Sequence, residues 1–186
     1  GKRSTPITIS PDALYAERQT RYATHMIILG IDPGFGRMGV GIIEKTEGKL
    51  HLLRAGLIET DPSLPHHERL CKIYNELTAL IRAHKPIILS IERLFFTKNQ
   101  KTVIPVAQAR GVALLTAGIA GLTVYEYTPP EVKCAITGNG KADKKAMQKM
   151  VALTLGTTEN FIDDTTDAIA LAITAAYDRR NVRPIA

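Results

Sequence analysis

Ile27-Ile28-Leu29-Gly30-Ile31-Asp32-Pro33-Gly34, IILGIDPG, is a run of core-type residues that ends on an acid. Residues 27–31 read as a buried strand, because β-branched side chains suit a pleated sheet and Pro33-Gly34 ends the run abruptly. Asp32 therefore stands at the strand's end. A carboxylate there is costly unless it meets a cation or several donors. It either caps the turn that follows, as Asp often does, or holds a metal together with other acids. The strand alone leaves both open.

The elements on either side set the frame. Gly34-Phe35-Gly36 leads to a second apolar stretch at 38–43, and Glu47-Gly48-Lys49 turns the chain into a third at 50–58. Turns this short predict antiparallel pairing. His66-His67 reads as part of a polar loop. Leu70, Ile73, Leu77 and Ile81 then recur at helical spacing, in a helix that ends before Pro86. Residues 87–91 form a short apolar strand, and it too ends on an acid, Glu92. A helix with small residues lies within 106–120, and a fifth strand spans 122–127. Thr128-Pro129-Pro130-Glu131 has the form of a capping box, with prolines in the first turn of a short helix. Asp143 opens a longer helix that stops near Gly156, and the last runs from Asp164 to about Arg180. The order β-β-β-α-β-α-β-α-α-α predicts an α/β fold, a mixed five-stranded sheet with helices on both faces.

The 186 residues and 45% hydrophobic content suit one domain with a full core. Residues 1–25 are polar and aperiodic and read as a leader outside the fold. The domain spans 26–180, and 181–186 form a tail. No apolar run approaches the roughly 20 residues of a membrane span. Cys71 and Cys134 stand far apart and form no disulfide framework, which fits a reducing cytoplasm. The net charge of +6 is unevenly placed. Lys133, Lys141, Lys144, Lys145 and Lys149 cluster around a single acid, Asp143, which suits either a polyanionic substrate or a solvated helix face.

Asp164 and Asp167 are three residues apart, so they share a helix face, and Leu171 continues that face inward. The helix dipole accounts for one acid in a first turn. It does not account for two on the core side, with two more ending strands. Four converging carboxylates need a counter-charge. All-oxygen ligation suits Mg²⁺ or Mn²⁺, and four acids can hold two ions about 4 Å apart, the arrangement used in phosphodiester cleavage. Gly140-Lys141 lacks the rest of a Walker A motif, and no Ser-His-Asp or Cys-His set competes for the chemistry.

The segments GIDPG, IERLFFTKN, QARGVAL, VKCAITGNGKADK and DDTTDAIALAIT, in order and spacing from Met26 to about Asp178, resemble the RuvC family of Holliday-junction resolvases. The resemblance implies an RNase H-like fold and makes Asp32, Glu92, Asp164 and Asp167 the catalytic, metal-binding acids. Asp163 is a neighbouring acid, although the D-x-x-D spacing favours Asp164 as third ligand; that position is a histidine in some members. Two Mg²⁺ ions per site are implied, with Mn²⁺ as a substitute. The implied enzyme is a cytoplasmic homodimer that nicks two strands of a four-way DNA junction symmetrically in recombination and repair, alongside RuvA and RuvB. Phe95 matches a ring used against DNA bases, and Lys133 and Lys144 match basic positions near the scissile phosphate. Lys98, Lys141 and Lys145 are grouped with them as DNA-binding. The segment Gln108-Ala109-Arg110-Gly111-Val112-Ala113 is open to two uses, a dimer interface or packing on its own sheet. Alternatives are another RNase H-like nuclease, RNA-directed or transposase-like, or a junction-binding protein without catalysis. A sugar-kinase or actin-like ATPase would need a longer, duplicated chain.

Overall fold

The computed structural model describes residues 25–94 and 100–178. Its elements are β1 (His25–Asp32), β2 (Arg37–Thr46), β3 (Lys49–Glu59), α1 (His66–His84), β4 (Ile88–Glu92), α2 (Gln100–Ile119), β5 (Thr123–Tyr127), α3 (Pro129–Thr137), α4 (Lys144–Leu155) and α5 (Asp163–Tyr177). They form the expected mixed sheet, in the order β3-β2-β1-β4-β5. The β1–β2 and β2–β3 pairs are antiparallel, and β1–β4 and β4–β5 are parallel. Helices α1 and α2 cover one face, and α3, α4 and α5 cover the other.

Several boundaries differ from expectation. Helix α2 begins at Gln100, ahead of the expected 106, β2 runs on to Thr46, and α5 ends at Tyr177, short of Arg180. His25 begins β1 rather than ending a leader, opposite Thr46, with its Nε2 2.7 Å from Glu44 Oε1. His66 and His67 lie in the first turn of α1, not in a loop. The apolar repeat begins only at Leu70 and cannot reveal that turn. The His66 ring stacks on Phe35, with centroids 4.4 Å apart, and its Nε2 meets Gln108 Oε1 at 2.8 Å. The capping box expected at Thr128 is present: the Glu131 carboxylate accepts from Thr128 N–H at 2.7 Å, and Thr128 Oγ1 accepts from Glu131 N–H at 3.4 Å. Asp143 caps α4 by accepting from Ala146 N–H at 2.8 Å.

Strand alternation divides the core. Leu29 and Ile31 of β1, and Leu89 and Ile91 of β4, face α1 and α2. Met26, Ile28 and Ile88 face α5. By the same period of two, Asp32 and Glu92 face α5. That helix is apolar almost all round and is buried from Thr165 to Ala176 apart from Asp167. It ends where Lys45 of β2 donates to Ala176 O at 2.6 Å, with its ammonium 4.7 Å from the Tyr177 ring centroid.

Helix α5 lies unusually close to the sheet because the strands offer it no side chains there. A Cβ on Gly30 would fall 2.0 Å from Ala168 O, one on Gly39 1.9 Å from Asp164 O, and one on Gly41 2.8 Å from Ile169 Cα. These glycines form a seam along which the helix backbone rests on β1 and β2. Ser90 of β4 joins it from the side, donating to Leu171 O at 2.7 Å.

Candidate active site

The seam fixes where the acids stand. Gly39 touches the Asp164 carbonyl, and the same Cβ position is 3.3 Å from Asp32 Cβ. The first turn of α5 is thus pinned against the end of β1. Parallel pairing of Ile31 with Ile91 sets Glu92 beside Asp32. Asp32, Glu92, Asp164 and Asp167 therefore collect on one face, at the carboxyl ends of adjacent strands, where sites in open α/β sheets gather.

Their electrostatics are unbalanced. Burial, then Glu92, Asp167 and Asp164, push the Asp32 carboxyl up to about 8. Burial, with the Asp167 charge, also raises Glu92, although a hydrogen bond from Asp32 works the other way. Asp167 is raised by burial and by Asp163 and Asp164, against the pull of Lys144 and Lys133. Desolvation leads in all three, and shared negative charge reinforces it. Half-buried carboxylates that resist ionisation as a group, with only oxygen donors, fit a hard divalent cation.

The first turn of α5 already carries two cations of the protein's own. Arg37, at the start of β2, places Nη2 3.2 Å from Asp164 Oδ2 and Nε 3.9 Å from Glu59 Oε1. Lys144, the first residue of α4, donates to Asp163 Oδ2 at 2.7 Å, which raises the lysine. Gln148 donates to Asp163 Oδ1 at 3.2 Å. Among the described residues, no three His, Cys, Asp or Glu side chains stand close enough to hold a metal. The acids converge, but their side chains are not closed into a ligand set.

A cavity of about 220 Å³ opens beside them, lined by Glu92, Asp167, Asp163, Lys133 and Lys144, with apolar walls from Val132 and Met147. The lysine cluster is thereby divided. Lys133 and Lys144 face the acids, whereas Lys141 and Lys149 line a separate open groove with Asn139. Lys145 is exposed. Phe95 and Lys98 lie outside the described residues.

Three supports were not legible as site residues. Arg37 gave no signal beyond being a lone base in a glycine-rich turn. Arg110 of α2 supports the site from the opposite face of the sheet: its Nε donates to the Glu92 carbonyl at 3.1 Å and its Nη2 to Glu126 Oε1 at 2.6 Å. The loop after Asp32 is clamped at Phe35, whose ring lies between His66 and the Arg69 guanidinium, 4.0 Å from its centroid. Thr60 Oγ1 donates to Phe35 O at 2.6 Å and accepts from Arg69 Nε at 2.9 Å.

Comparison with known proteins gives this geometry relatives. Residues 28–175 match the family described as crossover junction endodeoxyribonuclease RuvC. A crossover junction endodeoxyribonuclease RuvC of Chloroflexus aurantiacus is 50% identical over 153 residues, covering 82% of this chain and 93% of the relative. That of Roseiflexus sp. is 48% identical over 158 residues, covering 84% and 94%. Among solved structures, Thermus thermophilus RuvC in complex with Holliday junction substrate superposes with a TM-score of 0.79 at 33% identity, covering 86% of this chain and 99% of that one.

Proposed function

The chain belongs to the RuvC family of crossover junction endodeoxyribonucleases, and from that premise we propose that it resolves Holliday junctions by metal-dependent nicking at the Asp32 site. The observation that carries the proposal is the convergence of Asp32, Glu92 and Asp167 on the α5 face, each raised by burial and shared negative charge. Asp32, Glu92, Asp164 and Asp167 are the acids assigned to the metal, two Mg²⁺ per site, with Mn²⁺ as a substitute. When bound, the metal supplies a nucleophilic water and stabilises the leaving 3′ oxygen.

The protein's own groups do the rest. Arg110 fixes the main chain of Glu92, and the glycine seam fixes Asp164 and Asp167 relative to Asp32. Lys133 and Lys144 border the cavity and are assigned to the phosphates of the cleaved strand. Phe95 follows Glu92 by three residues and is assigned to stacking on a base, worth roughly 1–3 kcal/mol. Lys98, Lys141 and Lys145 are assigned to more distant backbone contacts.

A four-way junction with approximate two-fold symmetry calls for two matched sites, and we assign the protein to a C₂ homodimer built on α2. RuvA and RuvB are the branch-migration partners the family assignment brings, and the cytoplasm is the compartment. No described helix is long and apolar enough to cross a membrane.

One experiment separates this reading from its alternatives. A synthetic four-way junction, a linear duplex and an RNA–DNA hybrid are incubated with the protein and Mg²⁺. Paired nicks in the junction alone are expected, and they should vanish on chelation. Comparable cutting of the duplex or hybrid would mean another RNase H-like nuclease. Binding without cutting would mean a non-catalytic junction protein.

A further inference from the structure

The third acid is the only one of the four with an arginine against it among the described residues. Asp32, Glu92 and Asp167 lie half-buried. Asp164 instead points its Oδ2 at Arg37 Nη2, 3.2 Å away. The guanidinium is itself half exposed, and its second carboxylate contact, Glu59, is longer at 3.9 Å.

The Arg37 backbone has little freedom. It pairs with Glu59 in the β2–β3 ladder, and its carbonyl packs so tightly on Gly34 that a Cβ there would fall 1.7 Å away. The side chain, by contrast, faces solvent. The Asp164 backbone is equally fixed by the seam at Gly39. What can change is the side-chain pairing, not the scaffold.

We propose that Arg37 is a latch on Asp164: its guanidinium neutralises the third carboxylate in the metal-free protein, holds it out of the ligand set, and must be displaced when the divalent ion enters. An exposed pair of this kind is weak and easily exchanged. A unit charge a few ångströms from an incoming divalent ion repels it appreciably even in water. The latch thus weakens metal loading while shielding the acids from one another. Arg37 is in this sense a positioning residue and not a catalytic one. The proposal rests on the four acids being the metal site, and its test does not depend on cleavage.

The test is calorimetric titration of the DNA-free protein with Mn²⁺, for wild type, Arg37→Met, Arg37→Lys, Asp164→Asn and the Arg37→Met/Asp164→Asn double variant. Arg37→Met should bind Mn²⁺ roughly three- to tenfold more tightly than wild type. Arg37→Lys keeps the charge and should stay near wild type. In the Asp164→Asn background the gain from Arg37→Met should shrink to the general effect of one lost charge, which is the coupling a double-mutant cycle isolates. Thermal melting confirms that each variant is folded, as expected for a half-exposed side chain at a strand's end. Unchanged or weaker Mn²⁺ binding by Arg37→Met overturns the latch, as does a gain that persists in full without the Asp164 charge. Failure of the underlying site assignment looks different: wild type itself would then bind no Mn²⁺.

Discussion

Asp32 works against the fold that holds it. Its carboxyl is raised from 3.8 to about 8, so the metal-free native state favours the protonated form and the unfolded chain does not. The linkage has a definite sign. Below the unfolded value the two states bind the proton alike. As pH rises toward 8 the native state bears a growing cost, complete above the folded value. Metal-free protein should therefore lose stability between about pH 5 and pH 8, and Mg²⁺ should restore more at the upper end. Asp32→Asn should raise the melting temperature in chelator by several degrees at pH 8 and by less at pH 5, while abolishing cleavage and leaving junction binding largely intact. Calorimetric melting at the two pH values decides it: a gain no larger at pH 8 would show that Asp32 is not the group bearing the cost.

Among elements, β1 and β4 show how much could be read before any coordinates. Each of the two apolar runs ends on an acid, so neighbouring strands bring both to one end of the sheet, and Asp164 and Asp167 share a face of the last helix; which face of the sheet they meet on needed the register. The frame, and the positions of the four acids within it, were legible for this reason. What was not legible depends on contacts distant in sequence. Arg37 meets Asp164 across 127 positions of chain and follows no pattern. Arg110 lies in a segment open to two readings, and both have a physical basis. Ala109, Ala113 and Ala117 are buried on the sheet, and Ile104, Leu115 and Ile119 are 60–68% exposed on the other side. Helix α2 also anchors the site, because Arg110 holds the Glu92 carbonyl and pairs with Glu126. Arg110→Ala should cost about 1–3 kcal/mol, as expected when a partly buried charged partner is removed. It should also slow cleavage beyond the fraction unfolded. Urea unfolding beside single-turnover rates separates the two effects, and a rate that merely tracks stability would reduce Arg110 to a structural tie.

On the scale of the whole molecule, the acids and the exposed apolar stripe of α2 lie on opposite faces of the sheet. A dimer through that stripe leaves both sites open to DNA, one for each strand to be cut. Leu115→Glu places a charge at the centre of the stripe and should give monomers in sedimentation while leaving each monomer folded. Its junction products should then be single, unpaired nicks. A dimer that survives this substitution would place the interface elsewhere. The glycine seam has another kind of consequence. Gly30, Gly39 and Gly41 carry no functional group, yet every substitution adds the one atom their positions exclude. A genetic screen for lost resolution would score them beside the acids, with nothing in the phenotype to tell scaffold from chemistry. The part of this enzyme least able to drift is thus, in good measure, the absence of side chains.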